Sequence, residues 1–367
     1  MNLKYILHLL LMLCLCNSCI PIRSFFLARP DNKDARRFSS NFINASTDCF
    51  QFKTSKQEKK IRVNNWTSDL PQFEDLNSLC LNHAVRELLV IQNDSLIFNY
   101  RNYDSTLNIK HSSYSIAKSI VSCLVGIAID EGSIKGENEL VTLWLPELKK
   151  NSFSDSLRIH HLLNHTSGIR HSVSGDARIY YGKNSAAEIK KLQFEYAPGS
   201  KQKYLNINTQ LLGILLSRAV GMTLSEYAEI KLWQPLEMCE NATWSTDRNN
   251  MEKAFCCITA SAQDYAKFGR LYLNKGKWNG KTIFSEEWFD KSIRRDSTNG
   301  SSFNFNYSWH IGLKKYEDFM AIGLYKQHIY IYPEKNVIIV LLNDREKKLI
   351  AERVNWWNVF RQIGDQL

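Results

Sequence analysis

The sequence lacks the marks that would place it outside the ordinary globular proteins. Only 7 of its 367 residues are proline and 16 are glycine, while 44% are hydrophobic and 23% charged. Collagen-like, disordered and multi-span membrane proteins each leave a strong compositional mark, and none is present here. The length predicts one large globular domain with an insertion, or two domains.

A strong local excess of charge of one sign is also missing. The net charge is +10, from 47 Lys and Arg against 37 Asp and Glu. The basic clusters at residues 56–62 and 345–348 are short, and Glu58 and Glu346 interrupt them. A nucleic-acid-binding surface normally concentrates its positive charge. We therefore expect no nucleic-acid partner.

Patterns that bind metals are absent as well. Three of the nine cysteines lie in the first 19 residues, and the others show no Cys-x-x-Cys spacing. His161 and His165 are four residues apart, but no Glu follows His161 to complete a His-Glu-x-x-His zinc motif. We interpret them as scaffold residues, and the adjacent Cys256 and Cys257 as small buried hydrophobic residues. No metal and no cofactor is expected.

The amino terminus has the pattern of a targeting segment. Lys4 precedes a mostly apolar run at residues 6–15, which as a helix spans about 15 Å and is too short for a bilayer core of about 30 Å. Ser18 and Cys19 resemble a lipoprotein cleavage site, although Leu15 lies four residues before Cys19 where three is usual. We predict a signal peptide over residues 1–19 and an extracytoplasmic protein. Lipid anchoring at Cys19, simple secretion and an uncleaved anchor all remain open.

The rest of the chain indicates an α+β protein. Residues 20–79 are polar and predict an extension or tether, followed by a domain at 80–367. Apolar runs at 88–91 and 95–100 predict a β-hairpin, and the stretch at 116–129 predicts a buried helix with Ser112 and Ser113 as cap candidates. Helical patterns follow at 209–220, 224–232 and 262–274, and strand patterns at 307–313, 329–332 and 337–342. Strands at both ends with helices between them predict a sheet with an inserted helical region.

Ser115 and Lys118 are the strongest candidates for chemistry. Their i, i+3 spacing places a hydroxyl and an amine on the same side of one helical turn. Serine needs a base to remove its proton, and burial lowers the pKa of a lysine so that its amine can serve. Ser200 and Lys203 have the same spacing but follow Pro198 and Gly199 in a polar turn. We interpret that second pair as a solvated loop.

Tyr204 and Asn206 add a second group of polar side chains. In extended backbone the two side chains point to the same side. A nearby cation lowers the pKa of a tyrosine, and the resulting phenolate would take the serine proton and return it to the leaving group. We expect Asn206 to orient Lys118 or to hold a substrate carbonyl.

These motifs resemble those of a known family. The Ser-x-x-Lys element at Ser115 and the Tyr-x-Asn element at Tyr204 are similar to those of the serine β-lactamase and penicillin-binding-protein-like hydrolases. The resemblance is to the branch that holds class C β-lactamases, esterases and 6-aminohexanoate-oligomer hydrolases. It extends over residues 80–360 and includes the segments 161–169, 194–200, 264–273 and 278–280. It implies a β-lactamase/transpeptidase-like fold, with an antiparallel sheet flanked by helices.

The third element of the family departs from its usual pattern. Where Lys-Thr-Gly or His-x-Gly is common, this sequence has Ala321-Ile322-Gly323, so the glycine is kept and the cation is lost. The resemblance implies that the backbone N–H groups of Ser115 and Leu324 hold the oxyanion. Lys326 is either a surface residue or a substitute for the missing cation.

The predicted function is an extracytoplasmic serine hydrolase that cleaves an ester or amide through an acyl-enzyme on Ser115. Its partner would be a small-molecule or short-peptide acyl substrate, with a lipid anchor in the membrane if Cys19 is modified. Alternatives are a β-lactamase, a DD-peptidase-type penicillin-binding enzyme, or a catalytically silent ligand-binding member of the fold. A binding module has no need for Ser115, Lys118 and Tyr204 together, and this argues against the last alternative.

Overall fold

The computed structural model describes residues 30–31, 33–55, 59–64, 73–83, 85–102, 109–149, 152–343 and 354–367. The predicted signal peptide lies outside the described residues. Within them, no helix is both long and apolar enough to span a membrane.

The main helices have ten ranges in chain order. They are α1 Asp34–Arg37, α2 Leu76–Asn82, α3 Ile116–Asp130, α4 Ile159–Leu163, α5 Val173–Tyr181, α6 Asn206–Val220, α7 Leu224–Ala228, α8 Ala262–Leu273, α9 Glu286–Ile293 and α10 Trp356–Asp365. The turn of π-helix Glu229–Trp233 continues α7, so the predicted helix at 224–232 is divided between two hydrogen-bonding patterns.

The strands have eighteen ranges. They are β1 Ser40–Ile43, β2 Lys53–Thr54, β3 Arg62–Asn64, β4 Phe73–Asp75, β5 Val85–Gln92, β6 Ser95–Arg101, β7 His111–Ser112, β8 Ile169–Arg170, β9 Gln193–Phe194, β10 Ala242–Ser245, β11 Ile258–Ala260, β12 Lys277–Trp278, β13 Lys281–Thr282, β14 Phe305–Asn306, β15 Trp309–Ile311, β16 Phe319–Gly323, β17 Gln327–Tyr332 and β18 Val337–Asn343.

An eight-stranded sheet forms the centre of the fold, in the order β14-β15-β16-β17-β18-β5-β6-β2. All its neighbours are antiparallel except β2, which runs parallel to β6. Successive side chains of a strand point to opposite faces. Ile329 and Ile331 accordingly join the core cluster that contains α3 and α8, and Tyr330 and Tyr332 join the cluster beneath α10. The sheet is therefore buried on both faces, and the predicted α+β class is confirmed.

A second sheet links the amino-terminal part of the chain to the helical region. Its order is β1-β10-β11-β7, so β1 pairs with a strand about 200 residues away in sequence. Cys49 also forms a disulfide with Cys239, and Phe52 is buried in the main core. The part of the predicted extension at residues 40–54 thus contributes strands to both sheets.

Helix α3 forms where its apolar sequence predicts it, and 13 of its residues are buried. The caps differ from the prediction. Ser112 belongs to β7, and the hydroxyl of Ser113 accepts a hydrogen bond from the N–H of Ile258 at 3.1 Å. Ser115 itself stands at the start of the helix. Tertiary contacts with β11 therefore replace the local cap.

Candidate active site

Ser115 lies on a tight turn between β7 and α3. Tyr114, just before it, has a φ of 43°, a left-handed conformation that is uncommon for a residue with a side chain. The N–H of Ser113 donates to the carbonyl of Ile258 at 2.7 Å, which fixes this turn to β11. Because Ser115 begins a helix of 15 residues, the helix dipole favours negative charge near it.

Lys118 stands one turn further along α3, with its amine on the nucleophile. Its Nζ lies 2.9 Å from Ser115 Oγ and donates a hydrogen bond to the carbonyl of Phe255 at 2.9 Å. The residue is 1% exposed. This burial lowers the pKa of Lys118 to about 7, against a smaller upward effect of Asp176. A large fraction of the amine is therefore neutral near pH 7 and able to accept a proton.

Tyr204 covers the amine from the other side. The centroid of its ring lies 5.0 Å from Lys118 Nζ. Burial of the phenol raises the pKa of Tyr204 to about 12, and a hydrogen bond with Ser115 offsets this in part, although 47% of the whole residue is exposed. The direction is opposite to the one that we expected from the nearby cation. Tyr204 therefore stays a phenol near neutral pH, and Lys118 is the group available as base.

His165 holds the Tyr204 ring in place. The two rings stack with their centroids 4.5 Å apart and an interplanar angle of 19°. The N–H of Leu205 donates to His165 Nδ1 at 3.0 Å, so the neutral ring carries its proton on Nε2. Burial and the charge of Lys118 lower the pKa of His165 to about 3. His161 Nδ1 likewise accepts a backbone N–H, that of Arg158.

Asn206 pairs with a carboxylate that the motifs did not indicate. Its amide nitrogen donates to Asp176 at 3.1 Å, and His171 Nε2 lies 3.1 Å from the same carboxylate oxygen. The contact with Lys118 that we expected of Asn206 is not among the hydrogen bonds of the described residues. Asp176 is on α5 and acts on Lys118 and Tyr204 through its charge. Asn206 therefore connects the Tyr-x-Asn element to α5.

The third family element lies at the end of β16. Gly323 closes the strand, and Leu324 follows it in the turn to β17. Within the described part of the chain, neither the N–H of Ser115 nor that of Leu324 donates a hydrogen bond to another group. Ala321 is fully buried in the core. Lys326 lies in the same turn with a φ of 62° and does not line the pocket.

These residues surround a pocket of about 560 Å³. Its lining residues are Ser115, Gln202, Tyr204, Ser302, Asn304, Phe305, His310, Ile322, Gly323 and Leu324. His310 is the titratable imidazole among them, and burial together with the charge of Lys118 lowers its pKa to about 4. Near neutral pH the pocket wall therefore carries hydroxyl, amide, imidazole and apolar groups and no ionised side chain. Among the described residues, no cluster of His, Cys, Asp and Glu has the arrangement of a metal site.

Comparison with known proteins gives the same assignment as the geometry. The model of the beta-lactamase family matches residues 94–362. The chain belongs to the beta-lactamase family.

Relatives of this beta-lactamase-family chain are hydrolases. The 6-aminohexanoate-dimer hydrolase of Paenarthrobacter ureafaciens is 22% identical over 78% of both chains. A Salmonella agona protein provisionally named a D-alanyl-D-alanine carboxypeptidase is 25% identical, over 41% of each chain. The protein is accordingly a serine hydrolase that works by acyl transfer, as the sequence predicts.

Solved structures share the fold at low sequence identity. One from Bacillus anthracis, with a provisional 6-aminohexanoate-dimer hydrolase assignment, has a TM-score of 0.78 at 20% identity, over 89% of this chain and 90% of its own. A penicillin-binding protein from Bacillus halodurans has a TM-score of 0.60 at 14% identity, over 79% of this chain and 99% of its own. The β-lactamase/transpeptidase-like fold is therefore confirmed.

The sequence found part of this beta-lactamase-family site. The predicted residues that line the pocket are Ser115, Tyr204, Gly323 and Leu324, and Lys118 lies directly behind Ser115. Motifs gave no signal for Asp176, His310 or the carbonyl of Phe255. Asp176 and His310 belong to no catalytic spacing, and a backbone carbonyl leaves no mark in a sequence.

Proposed function

We propose that this hydrolase cleaves neutral esters or amides outside the cytoplasm, through an acyl-enzyme on Ser115. The observation that carries the proposal is the contact of Lys118 Nζ with Ser115 Oγ at 2.9 Å, together with the lowered pKa of Lys118. A base matched to the operating pH is what a serine nucleophile requires.

Acylation follows from the positions of three side chains. Lys118 takes the proton of Ser115 as the serine oxygen forms a bond to the substrate carbonyl carbon. The bond to the leaving group then breaks, and Tyr204 donates its phenolic proton to that group. Lys118 returns its proton to Tyr204. Deacylation repeats the sequence with water as the nucleophile and Ser115 as the leaving group, which restores every proton.

The oxyanion of the tetrahedral intermediate needs donors that are in place before the reaction. The N–H groups of Ser115 and Leu324 adjoin the pocket and donate to no other described group. Removing one such donor from a hydrolase typically costs about a hundredfold or more in turnover. We assign these two N–H groups to the oxyanion, as the resemblance implied.

The pocket wall favours an uncharged substrate. A carboxylate that entered would lose its hydration, and no ionised side chain of the pocket wall would compensate for that loss. Ala321 is buried in the core, and Lys326 is not part of the wall. This supports a neutral ester or amide over a penicillin or a D-Ala-D-Ala peptide.

Location outside the cytoplasm has support from the cysteines. Cys49 pairs with Cys239 and Cys256 with Cys257, and structural disulfides are typical of oxidising compartments. The sequence pattern of residues 1–19 points the same way. Fractionation of cells that express the full chain, with Cys19→Ala as the variant, tests both location and lipid attachment.

A substrate panel tests the activity. Purified protein is assayed with p-nitrophenyl esters, nitrocefin, a D-Ala-D-Ala peptide and short amides, and Ser115→Ala serves as the inactive form. A fluorophosphonate should label Ser115, as located by peptide mass spectrometry. Ser200→Ala is the matched control, because Ser200 lies in an exposed turn. Label on Ser200, or full activity in Ser115→Ala, would overturn the proposal.

A further inference from the structure

Two adjacent cysteines lie directly behind the proposed base. Cys256 and Cys257 form a disulfide between neighbouring residues, and both are 5% exposed. The preceding residue, Phe255, provides the carbonyl that accepts the hydrogen bond from Lys118 at 2.9 Å. The disulfide therefore begins one residue from a group that contacts the active-site amine. We had interpreted both cysteines as simple hydrophobic residues, and the structure corrects this.

The backbone around the disulfide is held in a conformation that it would not adopt freely. Cys257 has a φ of 74°, in the left-handed region that favours glycine. The carbonyl of Cys256 accepts from Trp244 Nε1 at 3.0 Å, and that of Cys257 accepts from the N–H of Ser245 at 3.1 Å. These contacts fix the far side of the segment, and the disulfide fixes the φ of Cys257 between them and Phe255.

We propose that the Cys256–Cys257 disulfide is a positioning element of the active site, and that it holds the Phe255 carbonyl against Lys118. The inference rests on the proposed function, in which Lys118 is the base. The carbonyl takes one N–H of the amine, which turns the nitrogen lone pair toward Ser115. Breaking the disulfide releases the strained φ of Cys257, and the carbonyl then moves away from Lys118.

The surroundings of Lys118 decide the direction of the effect. Asp176, Tyr204, His165 and His310 face the amine electrostatically, and the last two carry no charge near neutral pH. The Phe255 carbonyl is thus one of the few groups that stabilise the protonated amine. Its loss leaves the ammonium less compensated, so the pKa of Lys118 falls further.

The disulfide is also a site for thiol–disulfide exchange. A dithiol reductant attacks one sulfur as a thiolate, the Cys256–Cys257 bond breaks, and a mixed disulfide forms. The second thiolate of the reagent then displaces the protein sulfur. The reagent leaves as a disulfide, and both cysteines become thiols after each takes up a proton. Reduction by a dithiol should therefore lower turnover.

Two variants separate the bond from the backbone conformation. Cys256→Ala/Cys257→Ala removes the bond and leaves an alanine that disfavours a positive φ. Cys256→Ala/Cys257→Gly removes the same bond but permits the φ of 74° without strain. Cys49→Ala/Cys239→Ala removes the other disulfide and is the control. Thermal melts establish that each variant is folded at the assay temperature.

The readouts are kcat, KM and the acid limb of the kcat/KM profile for p-nitrophenyl butyrate. We expect the double-alanine variant to lose about tenfold in kcat with KM nearly constant, and its acid limb to move down by about half a pH unit. The glycine variant should recover most of both, and the control should keep the wild-type acid limb. An unchanged limb and kcat in the double-alanine variant, or an upward shift, would overturn the inference.

A second measurement avoids dependence on folding of the variants. The Cys49→Ala/Cys239→Ala protein is incubated with dithiothreitol, and kcat is followed alongside mass spectrometry of the 256–257 peptide. Loss of kcat in step with reduction supports the inference, and full kcat in the reduced protein contradicts it. If this protein is inactive toward every substrate and takes up no fluorophosphonate at Ser115 before reduction, the proposed function has failed instead.

Discussion

A Cβ atom added to Gly323 would lie 2.5 Å from the carbonyl oxygen of Ser113. The end of β16 thus approaches the turn that carries Ser115 more closely than any side chain allows. The approach places the N–H of Leu324 beside the pocket. The third family element keeps its glycine for this steric reason, whereas its first position tolerates alanine.

Gly323→Ala should therefore lower both stability and turnover, because the neighbour is a backbone atom that cannot move aside cheaply. We expect a loss of at least about tenfold in kcat, since the Leu324 N–H leaves its oxyanion position. Gly221→Ala is the control. It has a φ of 70° and no close neighbour, so it should cost about 1 kcal/mol of stability with kcat unchanged. Equal kcat values in the two variants would contradict the argument.

Lys118→Ala and Tyr204→Phe should each lower kcat by about a hundredfold or more, the lower range for a positioned acid or base. The first removes the base, and the second removes the proton donor for the leaving group. Steady-state assays with p-nitrophenyl butyrate measure both. Near-normal kcat in either variant would remove that residue from the mechanism.

The pH profile should have an acid limb near the pKa of Lys118, about 7. Below that pH the amine is protonated and cannot take the serine proton, so kcat/KM should fall about tenfold per pH unit. Above it, activity should stay level until Tyr204 loses its proton at about 12, provided that the fold persists. A limb near pH 4 would assign the titration to His310 instead.

Asp176→Asn should move the acid limb to lower pH. The carboxylate of Asp176 raises the pKa of Lys118, so removing its charge lets that pKa fall. The amide keeps the size of the side chain. Glu188→Gln is a matched control, because Glu188 is paired with Arg178 and Lys191 and does not act on Lys118. An identical shift in both variants would indicate a general surface-charge effect.

Neutral esters should be cleaved faster than carboxylate-bearing substrates, and the ratio should respond to charge in the pocket wall. Ile322 lines the pocket, whereas Ala321 is buried, so Ile322→Lys is the appropriate charge insertion. We expect it to narrow the kcat/KM ratio of p-nitrophenyl butyrate to nitrocefin by about tenfold. Ile322→Met is the uncharged control and should leave the ratio unchanged.

The amino-acid sequence by itself determined the local part of this site. The i, i+3 spacing of Ser115 and Lys118 makes them neighbours wherever a helix forms, and the apolar stretch after Ser115 ensures that one does. The hairpin at 85–101 also formed as predicted, because Asn93 and Asp94 accept the positive φ values that its turn requires. Such features depend on interactions between residues close in the chain.

Only the tertiary structure decided how the site works. Whether the pKa of Tyr204 rises or falls depends on desolvation, which groups distant in sequence bring about. The same holds for the Phe255 carbonyl on Lys118, the Asp176 partner of Asn206 and the burial of Ala321. No spacing rule encodes these contacts, because packing of separate elements creates them. The sequence therefore named the nucleophile and its base, and the fold set their protonation states.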